Sequence, residues 1–161
     1  VAPDTPISVV SLELAAPPRV DSTHGVDPAL TTTIPAIFAQ VTDADQGLKR
    51  WMEKFGEWKS VTHVSQWGPE GTATWDVDVL HAGHYQVELT HAGDDRLEWA
   101  VGTDEDVCIR NQQNASHIYT KWPIGWLEFR TSGPHTITVR LLDGDRRAAS
   151  LQAIHLTPIE L

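Results

Sequence analysis

The sequence predicts an all-β protein, an antiparallel β-sandwich of the jelly-roll kind. Three observations support this prediction. Apolar and polar residues alternate at period two in several short stretches, turn-forming residues cluster between those stretches, and no convincing long helical pattern occurs. The alternating stretches recur about every 8–12 residues and amount to about eight to ten strands, a spacing typical of two packed sheets.

The first 30 residues are predicted to hold a strand and a linker. The strand is ISVVSLEL, which Pro17 and Pro18 stop because proline cannot donate to a β-ladder, and the polar residues that follow are interpreted as an interdomain linker. The sandwich domain itself is predicted to span 31–161. Because the chain begins with Val1 rather than Met, we expect it to be a piece of a longer polypeptide. The first strand is then expected to belong to a preceding domain.

The next stretch contains two ambiguous segments. Residues 31–46 fit a strand broken at Pro35 or a short helix, and their β-branched residues favour the strand. Residues 47–56 could form a short helix by propensity, but in a sandwich they are more typical of an edge strand that turns at Gly56. A strand over 58–67 then leads through a Gly-Pro turn into the central segment.

The central segment, TATWDVDVLHAGHYQVELTHA, spans 72–92 and has the clearest alternation in the chain. Apolar residues take every second position on both sides of a short connection, so each predicted strand has one apolar and one polar face. We interpret the segment as an antiparallel hairpin closed at Gly83, whose apolar face other strands must cover. Trp75 and, in the next stretch, Trp99 fall in the apolar phase and are assigned to the core.

The last third of the chain is predicted to contain strands in LEWAV, in the aromatic stretch 117–129, in HTITVRLL and in SLQAIHLTPI. Trp126 in the aromatic stretch is also assigned to the core. Residues 112–116 are polar and contain a glycosylation sequon at Asn114, so they are interpreted as an exposed loop.

Composition excludes several function classes. Twelve Lys and Arg against 22 Asp and Glu give a formal net charge of −10, which disfavours nucleic acid and favours a neutral or cationic ligand. No apolar run approaches the length of about 20 residues that spans a bilayer, and no signal peptide is recognisable. The single cysteine, Cys108, excludes an intrachain disulfide and is expected to be a buried structural thiol.

Tryptophan is unusually abundant, with seven Trp against two Tyr and three Phe. A buried indole needs a partner for its N–H and an exposed indole leaves a large apolar face in water, so some of these rings are expected to bind a ligand. The eight histidines include His81 and His84 beside the central turn, but no third ligand stands at a metal-binding spacing. We therefore predict no metal centre.

A family resemblance begins at Trp67. A Trp before a Pro/Gly turn is followed by the central segment, by LEWAVG, by an aromatic phrase ending WLEF, by SGPHTITVRLL and by SLQAIHLTPI. This order resembles the C-terminal β-sandwich domains of bacterial family 29 glycoside hydrolases, the α-L-fucosidases. It is more loosely similar to carbohydrate-binding modules of families 6 and 35, which have the galactose-binding-like fold. ISVVSLEL followed by APPRV resembles the last strand of the sandwich that trails a fucosidase catalytic barrel.

The resemblance implies a sugar site in the loops, where an aromatic ring stacks on the pyranose and polar groups bind its hydroxyls. Trp67, Tyr119 and Trp122 are the candidate stacking rings. Arg146 and Arg147 would bind hydroxyls, a sulfate or a carboxylate from the last loop. The candidate ligand-binding residues are Trp67, His117, Tyr119, Trp122, Arg146 and Arg147.

Two features depart from the family pattern. Modules of families 6 and 35 usually carry an early Glu-x-Glu-type phrase that holds calcium, and none occurs near 31–40. Where their last loop has a ligand-binding Asn, this chain has residues 143–147, DGDRR. The prediction is therefore no cofactor, with a structural calcium ion in the acidic turns 94–95 or 104–106 kept as an alternative.

The favoured function is a non-catalytic carbohydrate-binding module, secreted or periplasmic, that binds an oligo- or polysaccharide beside the catalytic domain of its parent chain. The alternative is a structural C-terminal domain that packs on that catalytic domain and binds nothing, in which case its outward aromatics would form a broad apolar patch. An enzyme is the least favoured class. Retaining glycosidases need two carboxyls about 5–5.5 Å apart, and no Asp or Glu pair is marked for that task.

Overall fold

The structure, a computed structural model, describes residues 23–105 and 108–159, apart from the side chains of residues 51 and 53. The strand predicted in ISVVSLEL lies outside this part of the chain. Within it, 12 strands and one turn of 3-10 helix form two facing sheets, which confirms the predicted all-β sandwich. No helix of the described residues is long and apolar enough to cross a membrane.

The strands have these bounds in chain order: β1 (His24–Val26), β2 (Thr32–Pro35), β3 (Gln40–Thr42), β4 (Asp45–Lys54), β5 (Glu57–Ser65), β6 (Thr72–Val79), β7 (Gly83–Ala92), β8 (Arg96–Thr103), β9 (Cys108–Asn114), β10 (Thr120–Phe129), β11 (Gly133–Asp143) and β12 (Ser150–Ile159). The 3-10 turn is Ala36–Phe38, between β2 and β3.

Each sheet contains six strands. The first has the order β1-β6-β11-β8-β9, with β3 also paired to β6, and the second has the order β10-β7-β12-β5-β4, with β2 also paired to β12. Only the pair of β1 with β6 is parallel among the described strands. Since β1 lies in the predicted linker and buries Val26, the linker assignment is wrong for His24–Val26, which belong to the sandwich.

The central segment is not a hairpin, which corrects a prediction. Its strands β6 and β7 lie in different sheets, so residues 80–82 cross from one sheet to the other. Alternation shows that each strand has one buried face, but it carries no information about the partner of each strand. The two apolar faces therefore meet across the core, where Trp75 and Trp99 are fully buried as predicted.

The ambiguous early segments are now resolved. Residues 31–46 contain both alternatives, since β2 ends at Pro35 and the 3-10 turn follows directly. β4 is the predicted edge strand and forms a true hairpin with β5, closed at Gly56 with a φ of 79°. This left-handed conformation suits glycine because it has no Cβ.

Two further predictions are wrong. Gln112, Gln113 and Asn114 belong to edge strand β9 rather than to a loop, because they pair with β8. Cys108 is an exposed free thiol at the start of that strand rather than a buried one. Both errors arise because an edge strand with polar side chains lacks the alternation that marks a covered strand.

Candidate glycan-binding site

Three clefts lie along the outer face of the second sheet, with volumes of about 310, 450 and 330 Å³. Lys49, His117 and Tyr119 line both the first and the second cleft, and Val61 and Gln152 line both the second and the third. The clefts are therefore continuous. We call them together the sheet-face trough, and the first cleft its head.

Strand register explains why polar side chains line the head of the trough. Leu151 in β12 lies opposite both His91 of β7 and Val64 of β5, and all three are buried between the sheets. Side chains alternate along a strand, so their neighbours Ser150 and His63 project from the outer face. The sequence thus places an apolar row in the core and a polar row on the floor of the trough.

Tyr119 joins the loop before β10 to this floor. Its hydroxyl lies 2.6 Å from Oγ of Ser150 and 3.1 Å from Nδ1 of His63. Burial raises the pKa of Tyr119, partly offset by the hydrogen bond with Ser150. Burial also lowers the pKa of His63, and the charge of Lys49 lowers it further. Both side chains are therefore neutral at neutral pH and can donate or accept hydrogen bonds with sugar hydroxyls.

The loop that carries His117 and Tyr119 is held by the neighbouring connection. The amide of Gly93 donates to the carbonyl of Ser116 at 2.8 Å, and the amide of Ala115 donates to the carbonyl of Asp95 at 3.0 Å. A Cβ on Gly93 would stand 2.9 Å from Cδ1 of Leu97, so glycine allows the close approach. The head of the trough is thus built from backbone contacts as well as from side chains.

The last loop supplies Arg147 to the head. The carboxylate of Asp145 accepts the amides of Arg147 at 2.9 Å and of Ala148 at 3.2 Å, which fixes the turn that presents the exposed arginine. These two backbone hydrogen bonds lower the pKa of Asp145. Lys49 reaches the head from β4, and the single carboxylate among the described residues of its lining is Asp94.

The third cleft has a hydrogen-bonded histidine on its floor. In His155, Nδ1 lies 2.8 Å from Oγ1 of Thr33 and Nε2 lies 2.7 Å from Oγ1 of Thr90. Burial lowers the pKa of His155. Beside this group, Lys121 and Glu88 form an ion pair at 2.7 Å. This part of the trough therefore presents neutral polar groups with fixed positions.

The structure brings three of the six candidate residues together. The head is lined by His117, Tyr119 and Arg147. The first two lie in the loop before β10 and the third in the loop before β12, so β10 and β11 separate them in sequence. The other three, Trp67, Trp122 and Arg146, are placed elsewhere and have different environments.

Trp67 is only 3 % exposed, so its ring has no open face for a sugar. It packs edge-on against Trp99 at a centroid distance of 5.3 Å. The prediction that Trp67 is a loop aromatic available for stacking is therefore wrong in this structure. The turn that follows Trp67 folds its ring inward over the end of the core.

Arg146 is occupied by the protein itself. Its guanidinium donates to the carbonyls of Gly68 at 2.8 Å, Leu141 at 3.1 Å and Leu142 at 3.2 Å, and its own carbonyl accepts the amide of Trp67. The prediction that it bonds ligand hydroxyls is not supported by this placement. Arg146 instead connects the last loop to the turn that precedes β6.

Trp122 lies in β10 opposite Leu89, in the phase that faces the other sheet, and is partly buried. A bulge between Pro123 and Gly125 then reverses the phase, so Trp126 lies opposite Gln86 on the outer face and is 58 % exposed. The assignment of Trp126 to the core is therefore wrong. Its ring contacts His84 edge-on at 5.2 Å.

Sequence reasoning missed Lys49, His63, Ser150 and Gln152 in the trough. Alternation could have found His63 and Ser150, because each precedes a core residue in its strand. Lys49 could not be found this way, since its edge strand has no consistently buried phase.

Of the acidic turns kept open for calcium, Asp104 and Glu105 accept hydrogen bonds from protein donors. Asp104 accepts the amide of Thr136 and lies 3.2 Å from Nδ1 of His135, and Glu105 accepts the amide of Arg130. Within residues 23–105 and 108–159, no group of three or more His, Cys, Asp or Glu side chains is arranged to hold a metal ion. Residue 106 lies outside the described part.

The two-sheet β-sandwich is a fold that this chain shares with several solved structures. No protein-family model matches the chain, and no curated protein matches it. Solved structures do match. A family 35 carbohydrate-binding module from Clostridium thermocellum is 13 % identical with a TM-score of 0.61, over 81 % of this chain and 100 % of that one.

Two other similar structures come from glycoside-active proteins. The C-terminal family 6 module of a marine laminarinase from Zobellia galactanivorans is 9 % identical with a TM-score of 0.55, over 79 % of this chain and 98 % of that one. A β-(1,4)-mannanase with a family 35 module from Podospora anserina is 15 % identical with a TM-score of 0.62, over 82 % of this chain. This chain spans 28 % of the mannanase. Identities this low show a shared fold.

Proposed function

We propose that this chain is a non-catalytic carbohydrate-binding module that holds a glycan in the sheet-face trough. The observation that carries the proposal is the continuity of the trough, which runs from the head at Tyr119 to the hydrogen-bonded group around His155. An open, elongated depression with both polar and apolar lining suits several linked sugars better than one small enclosed ligand.

The residues of the trough have complementary tasks in this proposal. The ring of Tyr119 offers an apolar face to the C–H groups of a pyranose, and its hydroxyl stays fixed by Ser150. Gln152, His63 and Ser150 bind sugar hydroxyls along the floor. The apolar side chain of Val61 separates these polar groups and lines the middle of the trough.

We further propose that the module is an accessory domain of a secreted or periplasmic glycoside hydrolase of the α-L-fucosidase type, as the sequence phrases from Trp67 onward suggest. A weak tethered contact raises the local concentration of substrate near the catalytic domain without bond chemistry. A non-catalytic role is supported by the lining of the trough. Its described residues include one carboxylate, Asp94, whereas glycoside hydrolysis usually needs two.

Calorimetric titration with a panel of neutral and acidic oligosaccharides tests the proposal. We expect saturable binding to at least one glycan, and Tyr119→Ala should weaken it at least about tenfold while the circular dichroism spectrum stays unchanged. Arg140→Ala is the matched control, because Arg140 projects from the other sheet, where it pairs with Glu70. No binding to any glycan, or equal binding by the Tyr119 variant, would overturn the proposal.

One observation favours the structural alternative. The outer part of the β4–β5 hairpin, residues 48–60, which we call the hairpin arm, exposes large apolar side chains. Phe55 is fully exposed at the tip, and Trp58 is 57 % exposed beside its cross-strand partner Met52. Arg50 covers the ring of Trp58 at 5.2 Å. Exposed apolar groups on one projecting arm are typical of a contact with another domain.

The alternative predicts slower hydrogen exchange in residues 48–60 when this chain is part of its full-length polypeptide than when it is alone. Equal exchange rates would contradict a domain contact at the arm. Trp58→Ser separates the two roles, because it should leave glycan binding in the trough unchanged.

A further inference from the structure

The head of the trough has a charge balance opposite to that of the whole chain. The chain has 22 Asp and Glu against 12 Lys and Arg. The lining of the head contains Lys49 and Arg147 but only one described carboxylate, Asp94. His63 and His117 line the same cleft and add donors. An acidic protein thus presents a locally basic cleft.

The two cations of the head have exposed side chains. Among the described residues, neither Lys49 nor Arg147 forms an ion pair with a carboxylate, whereas Lys121 and Arg140 do. Lys49 is also close enough to the floor for its charge to lower the pKa of His63. Both side chains line the cleft, and the charge of Arg147 also acts on the carboxylate of Asp145.

Arg147 and its neighbour Arg146 have different surroundings. Arg146 uses its donors on three backbone carbonyls, but the side chain of Arg147 extends into the cleft from a turn fixed by Asp145. A guanidinium in such a position binds carboxylate or sulfate oxygens through two parallel hydrogen bonds. Lys49 supplies a second point charge from β4.

We propose that the trough takes an acidic glycan, and that Lys49 and Arg147 select it by binding an anionic substituent at the head. The substituent is a carboxylate or a sulfate ester, which share the same recognition chemistry. This inference rests on the proposed function and names its ligand class. It differs from the expectation of a neutral or cationic ligand, which followed from the net charge, and develops the expectation that Arg147 binds a sulfate or a carboxylate.

The mechanism follows from the geometry of the trough. The anionic group binds between Lys49 and Arg147, and the adjoining sugar rings extend over Tyr119 toward Gln152 and His155. The net charge of −10 disfavours approach of an anion to most of the surface, so the basic head also directs the glycan to one end of the trough. Binding is therefore sensitive to salt, because exposed charge pairs are screened.

The test uses matched ligand pairs with the full chain. The carboxylate arm compares an oligogalacturonate with the same oligosaccharide after reduction of its carboxyl groups to alcohols. The sulfate arm compares a sulfated galactan oligosaccharide with its desulfated product. At low salt, we expect one acidic member to bind at least about tenfold more tightly than its neutral counterpart, with most of the difference lost near 0.5 M salt, where the screening length falls to about 4 Å.

Substitutions of Lys49 and Arg147 test whether these two cations cause the preference for the acidic ligand. Lys49→Gln and Arg147→Gln should each weaken binding of the acidic member about three- to tenfold more than binding of the neutral member. Arg140→Gln removes the same charge from the other sheet and should alter neither. Equal affinity for both members of both pairs, or the same effect from all three variants, would overturn the inference. Tight binding of a neutral glycan in that case would leave the proposed function standing, whereas no binding of any glycan would overturn both.

Discussion

The hydroxyl of Tyr119 lies 2.6 Å from the hydroxyl of Ser150, across the boundary between a loop and the outer face of β12. The same phenol lies 3.1 Å from Nδ1 of His63 in β5. One side chain thus connects the loop at the head of the trough to two strands of the second sheet. A substitution of Tyr119 should therefore change both the stability of the fold and the proposed binding of a glycan.

Tyr119→Phe keeps the ring and removes both hydrogen bonds. We expect the free energy of unfolding to fall by about 1–2 kcal/mol, since each such bond contributes about 0.5–1.5 kcal/mol. Urea denaturation measures the loss. A double-mutant cycle is the control, because Ser150→Ala should cost much less when it is combined with Tyr119→Phe than in the unaltered chain. Additive losses would contradict direct coupling between the two hydroxyls.

Substitution of the two adjacent arginines in the last loop should change the stability of the fold by very different amounts. Arg146→Ala leaves the carbonyls of Gly68, Leu141 and Leu142 without their donor, so we expect a loss of about 2–4 kcal/mol in the free energy of unfolding. Arg147→Ala removes an exposed side chain and should change stability by less than about 0.5 kcal/mol. Thermal denaturation of both variants checks this contrast. Equal losses would show that the structural role is not confined to Arg146.

Trp67 and Trp126 offer a second contrast. Trp67 is buried against Trp99, so Trp67→Phe should cost about 1–3 kcal/mol through lost contacts and a residual cavity. Trp126 is exposed on the outer face, and Trp126→Phe should be nearly neutral. Acrylamide quenching provides an independent readout, because removal of Trp126 should lower the quenchable fraction of the fluorescence and removal of Trp67 should not. The reverse pattern would contradict the phase assigned to β10.

The sequence was most informative where a strand is covered on one face only. Alternation in β6, β8 and β11 correctly identifies most of their buried residues, including Trp75 and Trp99, because the side-chain period of two is a local property. It misses Ala100 and His135, which are also buried. It could not show that β6 and β7 lie in different sheets, since pairing depends on strands distant in sequence. Turn residues between two strands are equally compatible with a hairpin and with a crossing between sheets.

The errors at the candidate site have the same origin. The bulge between Pro123 and Gly125 reverses the phase of β10, and nothing local in that aromatic stretch reveals on which side of the bulge a ring faces the core. Arg146 and Arg147 are adjacent and chemically identical, so only their long-range contacts distinguish them. His117, Tyr119 and Arg147 were found because loops at one end of a sandwich meet in space.

Substitution of Gly144 tests the backbone conformation of the last loop and its close approach to β8. Its φ is 118°, and a Cβ added there would stand 2.7 Å from the carbonyl oxygen of Arg96. Gly144→Ala therefore meets both an unfavourable conformation and a backbone clash, and we expect a loss of at least about 1–3 kcal/mol by urea denaturation. Gly25→Ala is the control, since no atom lies within 4 Å of its added Cβ. A neutral Gly144 variant would contradict the close approach of β8.

Acid should destabilise the fold through its buried histidines. Burial lowers the pKa of His91 and of His155 below the ordinary value of 6.5. The unfolded chain therefore binds protons before the folded chain does, so the contribution of these groups to stability is present above pH 6.5 and is lost as pH falls through their folded-state pKa values. The melting temperature should drop between about pH 7 and pH 5.5, above the range in which most carboxylates titrate. His91→Phe should flatten this dependence. A melting temperature that is constant over this interval in the unaltered chain would contradict the role of the buried imidazoles.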